Sequence, residues 1–301
     1  MNELVKEIMT LKAARGAVIL AHNYTTGDIQ DIADYVGDSL ELSRKAAECG
    51  AKVILFCGVR FMAETAKILS PDSVVLLPAP DAGCAMADMA DPAAVAAYRK
   101  AHPETLLVAY VNTTAATKKE VDLCCTSGNA EKIVAAIPPD RPILFLPDGN
   151  LGRNITRELG RPMEYWSGCC PVHDRIRKSD IERARQAHPG APVLVHPECR
   201  PEVVEAADRA LSTGGMLKYV RDASEKSFII GTETGILYRM RKENPGKEFF
   251  PLDPEPICPD MKKVTLEKVR DALRDMAPRI ELDRETVEKA AEPIRRMLET
   301  R

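Results

Sequence analysis

The sequence predicts an α/β protein built from three similar small domains, each a parallel sheet flanked by helices. It sets them in pseudo-threefold arrangement around a central active site. Three observations carry this. Landmarks recur at a nearly constant step: Cys84, Cys170 and Cys258 stand 86 and 88 residues apart, and the polar residues His22, Tyr110 and His196 that close the first apolar run of each stretch stand 88 and 86 apart. Self-similarity at a fixed period marks a repeated unit, and this step is too long for a solenoid repeat. Apolar runs alternate with helical stretches of about ten residues, as βαβ units require. Runs such as VILFC are continuously apolar, as in strands covered on both faces.

In order, the first unit reads strand 18–21, helix 40–49, strand 53–57, helix 62–69 and strand 74–77, then Cys84. The second reads helix 92–100, strand 106–111, helix 130–137, strand 143–146, a short helix 155–159 and strand 163–167, then Cys170. The third reads helix 180–188, strand 193–196, helix 203–210, strand 228–231, helix 236–244 and strand 249–251, then Cys258. Two closing helices, 266–275 and 284–298, are expected to return to the first unit. The domains are therefore placed at 1–84 plus 265–301, at 85–170 and at 171–264. The glycine-bearing segment around Asp148–Arg153 is the one read as able to move.

Composition narrows the function. Hydrophobic residues make up 45% of 301 positions and the formal net charge is −3, with acids and bases interspersed. No basic stripe points to nucleic acid, and no apolar run approaches the ~20 residues that span a bilayer. The opening MNELVKEIMTLKAARG reads as an amphipathic helix and not a signal peptide, so a cytoplasmic protein is expected. Nine cysteines in such a chain favour metal or redox chemistry over a disulfide framework.

In parallel sheets ligands bind beyond the carboxyl ends of the strands. His22, Asn23 and Tyr24 hold that place in the first unit, Tyr110 and Asn112 in the second, His196 and Glu198 in the third. Ser39, Ser127 and the pair Ser212–Thr213 each precede a helical stretch, where a hydroxyl can cap free N–H groups and the helix end attracts anions. Taken singly they are plain caps; taken together at one period they suggest a shared anionic site. No CxxC pair occurs. Cys49 and Cys57 read as packing residues, and Cys124 and Cys125 as inert. Cys199 lies near the presumed site, and Cys169 beside Cys170 leaves the second ligand ambiguous. Spacing alone leaves Cys84, Cys170 and Cys258 either as small apolar residues or as joint ligands. Three thiolates can hold an iron–sulfur cluster with one iron free to act as a Lewis acid.

The segments HNY, GDS, AGCAMADM, AYVNT, CTSGNA, LPDGNLGRN, CCPVHD, VHPEC, STGGM, GTETG and ICPDMKK together resemble the quinolinate synthase (NadA) family over nearly the whole chain. The resemblance implies a dehydrating synthase, classed with transferases, that condenses iminoaspartate with dihydroxyacetone phosphate to quinolinate, losing phosphate and two waters, in NAD biosynthesis. It implies a [4Fe–4S] cluster on Cys84, Cys170 and Cys258 with one open iron, and a transient contact with the enzyme that makes iminoaspartate. Family matching makes His22, Tyr24, Ser39, Tyr110, Asn112, Ser127, His173, His196, Glu198, Ser212 and Thr213 the substrate-contacting set. Within it Tyr24, Tyr110, His196 and Glu198 are the expected acid–base groups, Glu198 as a base and Tyr24 as a proton donor. Glu233 is a further candidate, His173 could equally fix the Cys170 loop, and His102 and His188 read as structural. Ala85 and Asp260 stand where Ser and Asn are expected in many relatives, and the C-terminal cysteine cluster of some relatives is reduced to Cys258. A zinc-dependent lyase or hydrolase using the same thiolates with His173 or His196 is the rival reading. A non-enzymatic three-lobed binder of a dicarboxylate is the third.

Overall fold

The computed structural model describes residues 3–300; positions 1, 2 and 301 of the expected first domain lie outside them. Strands β1 (Ala17–His22), β2 (Tyr35–Gly37), β3 (Val53–Cys57) and β4 (Val74–Leu76) make the first sheet. The second holds β5 (Leu106–Tyr110), β6 (Leu123–Cys125), β7 (Ile143–Leu146) and β8 (Glu164–Tyr165). The third holds β9 (Val193–Val195), β10 (Arg209–Ala210), β11 (Ser227–Gly231) and β12 (Glu248–Pro251). All pairings are parallel, and the orders are β2-β1-β3-β4, β6-β5-β7-β8 and β10-β9-β11-β12. One topology is thus used three times.

Each sheet carries an edge strand the apolar pattern misses: β2, β6 and β10. They are two or three residues long, too short to show a run. The same aspartate introduces each. Asp34 Oδ2 accepts Ile19 N at 2.8 Å, Asp122 Oδ2 accepts Leu107 N at 2.9 Å and Asp208 Oδ2 accepts Val193 N at 2.7 Å. The backbone N–H of each aspartate returns the bond to the carbonyl of the same partner residue. A basic residue from the helix before the first strand of each sheet neutralises each: Lys12 on Asp34, Arg99 on Asp122, Arg185 on Asp208. These clamps recur at the repeat step and fasten the entry of each edge strand to the first strand of its sheet.

Short helices at Gly27–Ile32, Ala85–Asp88 and Ala115–Lys118 were not expected, and three others differ from expectation in ways that bear on the site. The third-unit helix stops at Ala206, because Asp208 commits the following residues to β10. The short helix of the second unit is longer, Gly149–Leu159, since Asp148 caps it by accepting Asn150 N and Leu151 N at 2.9 and 3.1 Å. Its first turn is buried, so the segment read as movable is part of the packed body. A helix at Thr213–Asp222, capped by Ser212, fills the gap before β11.

The first and second sheets share one core with the face of the third sheet that shows Leu194, Phe228 and Ile230. Val193, Val195 and Ile229 alternate with these and close a smaller core on the opposite face. The N-terminal helix Glu3–Arg15 turns Leu4, Val5, Ile8 and Leu11 inward and packs on helix Leu266–Asp275, which also meets β3. The last helix, Arg284–Glu299, bridges the first and second units instead: it packs on helix Arg60–Leu69, on β6 and on helix Ala115–Lys118.

Candidate active site

The carboxyl ends of β1, β5 and β9 open onto one cavity of about 210 Å³, sized for a small metabolite. The first unit lines it with His22, Tyr24, Ser39 and Cys84, the second with Tyr110, Asn112, Ser127 and Cys170, the third with His196, Glu198, Thr213 and Cys258. Two of the residues named from the sequence stand back from the wall. Ser212 is occupied as a cap, accepting Gly215 N at 3.1 Å. His173 lies behind, its Nδ1 2.7 Å from Glu198 Oε2 and 3.3 Å from Cys170 Sγ. Ser39 and Ser127 line the cavity but cap nothing: Asp38 caps the first helix through a capping box with Glu41, and Asn129 precedes the second. The Ser127 hydroxyl bonds the Tyr110 phenol instead, on the cavity wall.

The turns after β1 and β9 are built alike. Tyr24 N donates to His22 Nδ1 at 3.2 Å and Glu198 N donates to His196 Nδ1 at 3.3 Å. Each neutral ring therefore keeps its proton on Nε2. Burial, against the opposing pull of the Glu198 charge, holds the His22 ring down to about 3 and His196 to about 4. Burial opposes the Glu198 charge too, yet the His196 and His173 rings and the bonds donated by His173 and by Tyr110 (2.5 Å) hold its carboxyl well below the ordinary range. Burial and the Glu198 charge push the phenols of Tyr24 and Tyr110 well up. One ionised base thus faces a wall of proton donors, the separation that acid–base chemistry needs.

These groups form a chain. Tyr24 Oη meets Thr213 Oγ1 at 3.0 Å and Thr232 Oγ1 at 2.7 Å, and Thr232 Oγ1 meets His173 Nε2 at 2.8 Å. With His173 Nδ1 donating to Glu198, the Thr232 hydroxyl donates to Nε2 and accepts from Tyr24. A continuous path runs from Tyr24 through Thr232 and His173 to Glu198, and on to Tyr110.

Two neutral buried histidines carry a pH dependence. In the unfolded chain they take up protons below their ordinary value of 6.5, and in the folded chain only near 4 and 3. Stability is therefore intact above about pH 6.5 and falls as pH drops, by roughly 2 kcal/mol per ring at pH 5. Urea unfolding at pH 7 and pH 5 measures this, and His22→Gln with His196→Gln should flatten the acid slope; an unchanged slope overturns it.

The thiols of Cys84, Cys170 and Cys258 are free and reach the same cavity from three loops. Burial pushes Cys84 up to about 12 and raises Cys170 and Cys258, so metal binding here must expel protons. The Cys258 loop is pinned by Glu233, whose Oε1 accepts Cys258 N at 3.1 Å and pairs with Lys262 at 2.7 Å. Asn112 Oδ1 is buried in the second-unit loop without a partner. An all-thiol donor set beside an unsatisfied acceptor fits a thiolate-held metal group with a polar ligand next to it. Cys169 and Cys199 do not line the cavity. Cys57, Cys124, Cys125 and Cys199 are fully buried.

The sequence reading missed five contributors. Thr232 is the link in the chain above. Asn150 and Asn154 clamp the turn that carries Glu198: Asn154 Nδ2 donates to Pro197 O and Cys199 O at 2.8 Å each, and Asn150 Nδ2 reaches Glu198 O at 3.5 Å. Their spacing of four, one helical turn, was the available signal. Arg175 lies at the cavity mouth and is exposed, held between Asp174, which Arg200 grips at 2.7 Å, and the buried Ile176. Gly235 lets the third unit approach the first; a Cβ there would stand 2.6 Å from Tyr24 O.

Three repeated parallel sheets converging on a thiol-lined cavity with an ionised glutamate and buried phenols define an α/β enzyme. A family model described as NadA, quinolinate synthetase A protein, matches residues 6–299. Curated quinolinate synthases are similar throughout. That of Methanoregula boonei is 51% identical over 295 residues, 98% of this chain and 97% of the relative. Those of Thermodesulfovibrio yellowstonii and Desulforudis audaxviator are 51% and 50% identical over 298 and 297 residues, each covering 99% of this chain and 98% of the relative. The chain belongs to the quinolinate synthase family. Among the described residues no helix is long and apolar enough to cross a membrane.

Proposed function

We propose that this enzyme condenses iminoaspartate with dihydroxyacetone phosphate to quinolinate, losing phosphate and two waters and feeding NAD biosynthesis. We assign Cys84, Cys170 and Cys258 as holders of a [4Fe–4S] cluster. The observation that carries the reading is the meeting of three thiols, one from each unit, on the cavity that Glu198 and the two phenols line. When bound, such a cluster supplies an iron without a protein ligand, able to accept a hydroxyl or carboxylate oxygen as a Lewis acid.

The chain's own groups do the proton work. Glu198 takes a proton from substrate carbon or nitrogen, and Tyr110 Oη, 2.5 Å away, can return one to a departing oxygen. Tyr24 donates on the other side, and Thr232 and His173 tie its hydroxyl to Glu198 by an unbroken run of hydrogen bonds. Ser39, Ser127, Thr213 and the Nε2–H groups of His22 and His196 orient carboxylates and phosphate by hydrogen bonds. His173 and Ser212 act through the groups they hold. Anaerobically purified protein should convert the two substrates to quinolinate with stoichiometric phosphate release; its absence sinks the reading.

One observation favours the rival. Cys170, His173 and Glu198 offer ligand atoms within 4.8 Å of one another, a set that suits zinc. Brown protein with about four irons supports the cluster, and colourless protein with about one zinc supports the rival.

Arg175 is the one cation among the cavity-lining residues and has no anionic partner among the described residues, while both proposed substrates are anions. Arg175→Gln should raise KM about tenfold with kcat little changed, the size of one charged hydrogen bond, and Arg175→Lys should retain most affinity. Steady-state kinetics with each substrate varied in turn checks this.

A further inference from the structure

Lys118 is completely buried, which is rare for a lysine. It ends the short helix Ala115–Lys118 just beyond the loop that carries Asn112. Its Nζ has three protons to donate and bonds to Thr113 O. It also sits over the Phe61 ring, 5.4 Å from the centroid. Phe61, Cys84 and Asn112 all line the cavity, so the ammonium stands directly behind that wall. The ionisable groups close enough to act on its charge are Cys124, Glu64 and Cys84. Glu64 is buried and spends Oε2 on Ala115 N at 2.8 Å. Cys124 is an inert thiol, its ionisation pushed up to about 12 by burial. A buried cation held by one carbonyl and one ring face is costly. A methionine would fill the same space without that cost, so packing does not account for the charge.

The cost is offset if negative charge arrives on the other side of the wall, as when Cys84 surrenders its proton to iron. We propose that the buried Lys118 ammonium offsets the negative charge of the Cys84 thiolate and of the cluster it holds, and so sets how readily that cluster accepts an electron. This rests on the cluster reading above. It makes Lys118 a positioning residue: it touches neither substrate nor iron and works through the field it projects at low dielectric.

The test uses the full chain, loaded with iron and sulfide under anaerobic conditions. Reduction by dithionite is followed by electron paramagnetic resonance at controlled potential. Lys118→Met should keep its iron and sulfide and shift the midpoint to more negative potential, by about 59 mV if the reduced fraction falls tenfold. Glu64→Gln removes the competing anion and keeps an acceptor for Ala115 N, so it should shift the midpoint the opposite way. A lysine that merely braces the Thr113 turn would change KM and leave the potential alone. An unmoved potential in iron-loaded Lys118→Met overturns the inference, as do shifts of one sign in both variants. Should Lys118→Met fail to load, Glu64→Gln decides alone, and no positive shift overturns the inference. Wild-type protein that carries zinc sinks the cluster reading itself, a separate result.

Discussion

Alanine at Cys84, Cys170 or Cys258 should leave a folded protein that retains almost no iron or sulfide and loses activity by about a thousandfold or more, if the proposed cluster assignment holds. The scale follows from the several kcal/mol that a Lewis-acidic metal contributes to a transition state. Each thiol reaches the cavity from a different unit, so none can stand in for another. Cys169→Ala and Cys199→Ala should keep their iron, because Cys169 does not line the cavity and Cys199 is sealed against Gly231 O. Iron and sulfide assays on the five proteins, with circular dichroism to verify folding, check this. Iron-free Cys169→Ala beside loaded Cys170→Ala would exchange the two assignments.

Glu198→Gln should lower kcat by about a thousandfold, within the range for loss of a general base, and leave KM near its wild-type value. Glutamine keeps the shape and one acceptor oxygen but cannot act as the proposed base. The same variant separates the two metal readings. A cluster held by thiols alone survives the change, so iron content stays at the wild-type level. Zinc held by Cys170, His173 and Glu198 loses a ligand and with it most of its affinity. Rapid-quench assay of product with metal analysis gives both answers; wild-type kcat removes Glu198 from the acid–base role.

Long, uniformly apolar strands were the legible part of the fold. β3 and β7 are buried at every position and stand where the apolar runs predict them. The edge strands β2, β6 and β10 were not, since a two- or three-residue strand gains its place from hydrogen bonds and not from burial. The aspartates at 34, 122 and 208 held that information at the same step as the cysteines. In the site, the strand-end residues were readable because parallel sheets expose their carboxyl ends. The serines were half readable: Ser39 and Ser127 reach the cavity, but Asp38 does the capping ascribed to Ser39. Thr232, Arg175 and Lys118 could not be found, for their meaning comes from partners in other units or across a wall, a relation no local pattern records.

The aspartate clamps sit where the first strand of each sheet begins, and the cavity lies at its far end. Structural upkeep and chemistry thus occupy opposite poles of every unit. The turn after β1 could become His-Asn-Tyr, that after β5 Tyr-Val-Asn and that after β9 His-Pro-Glu without disturbing how the strands are fastened. A threefold scaffold can in this way support a site with no threefold symmetry, as the proposed joining of two unlike molecules requires.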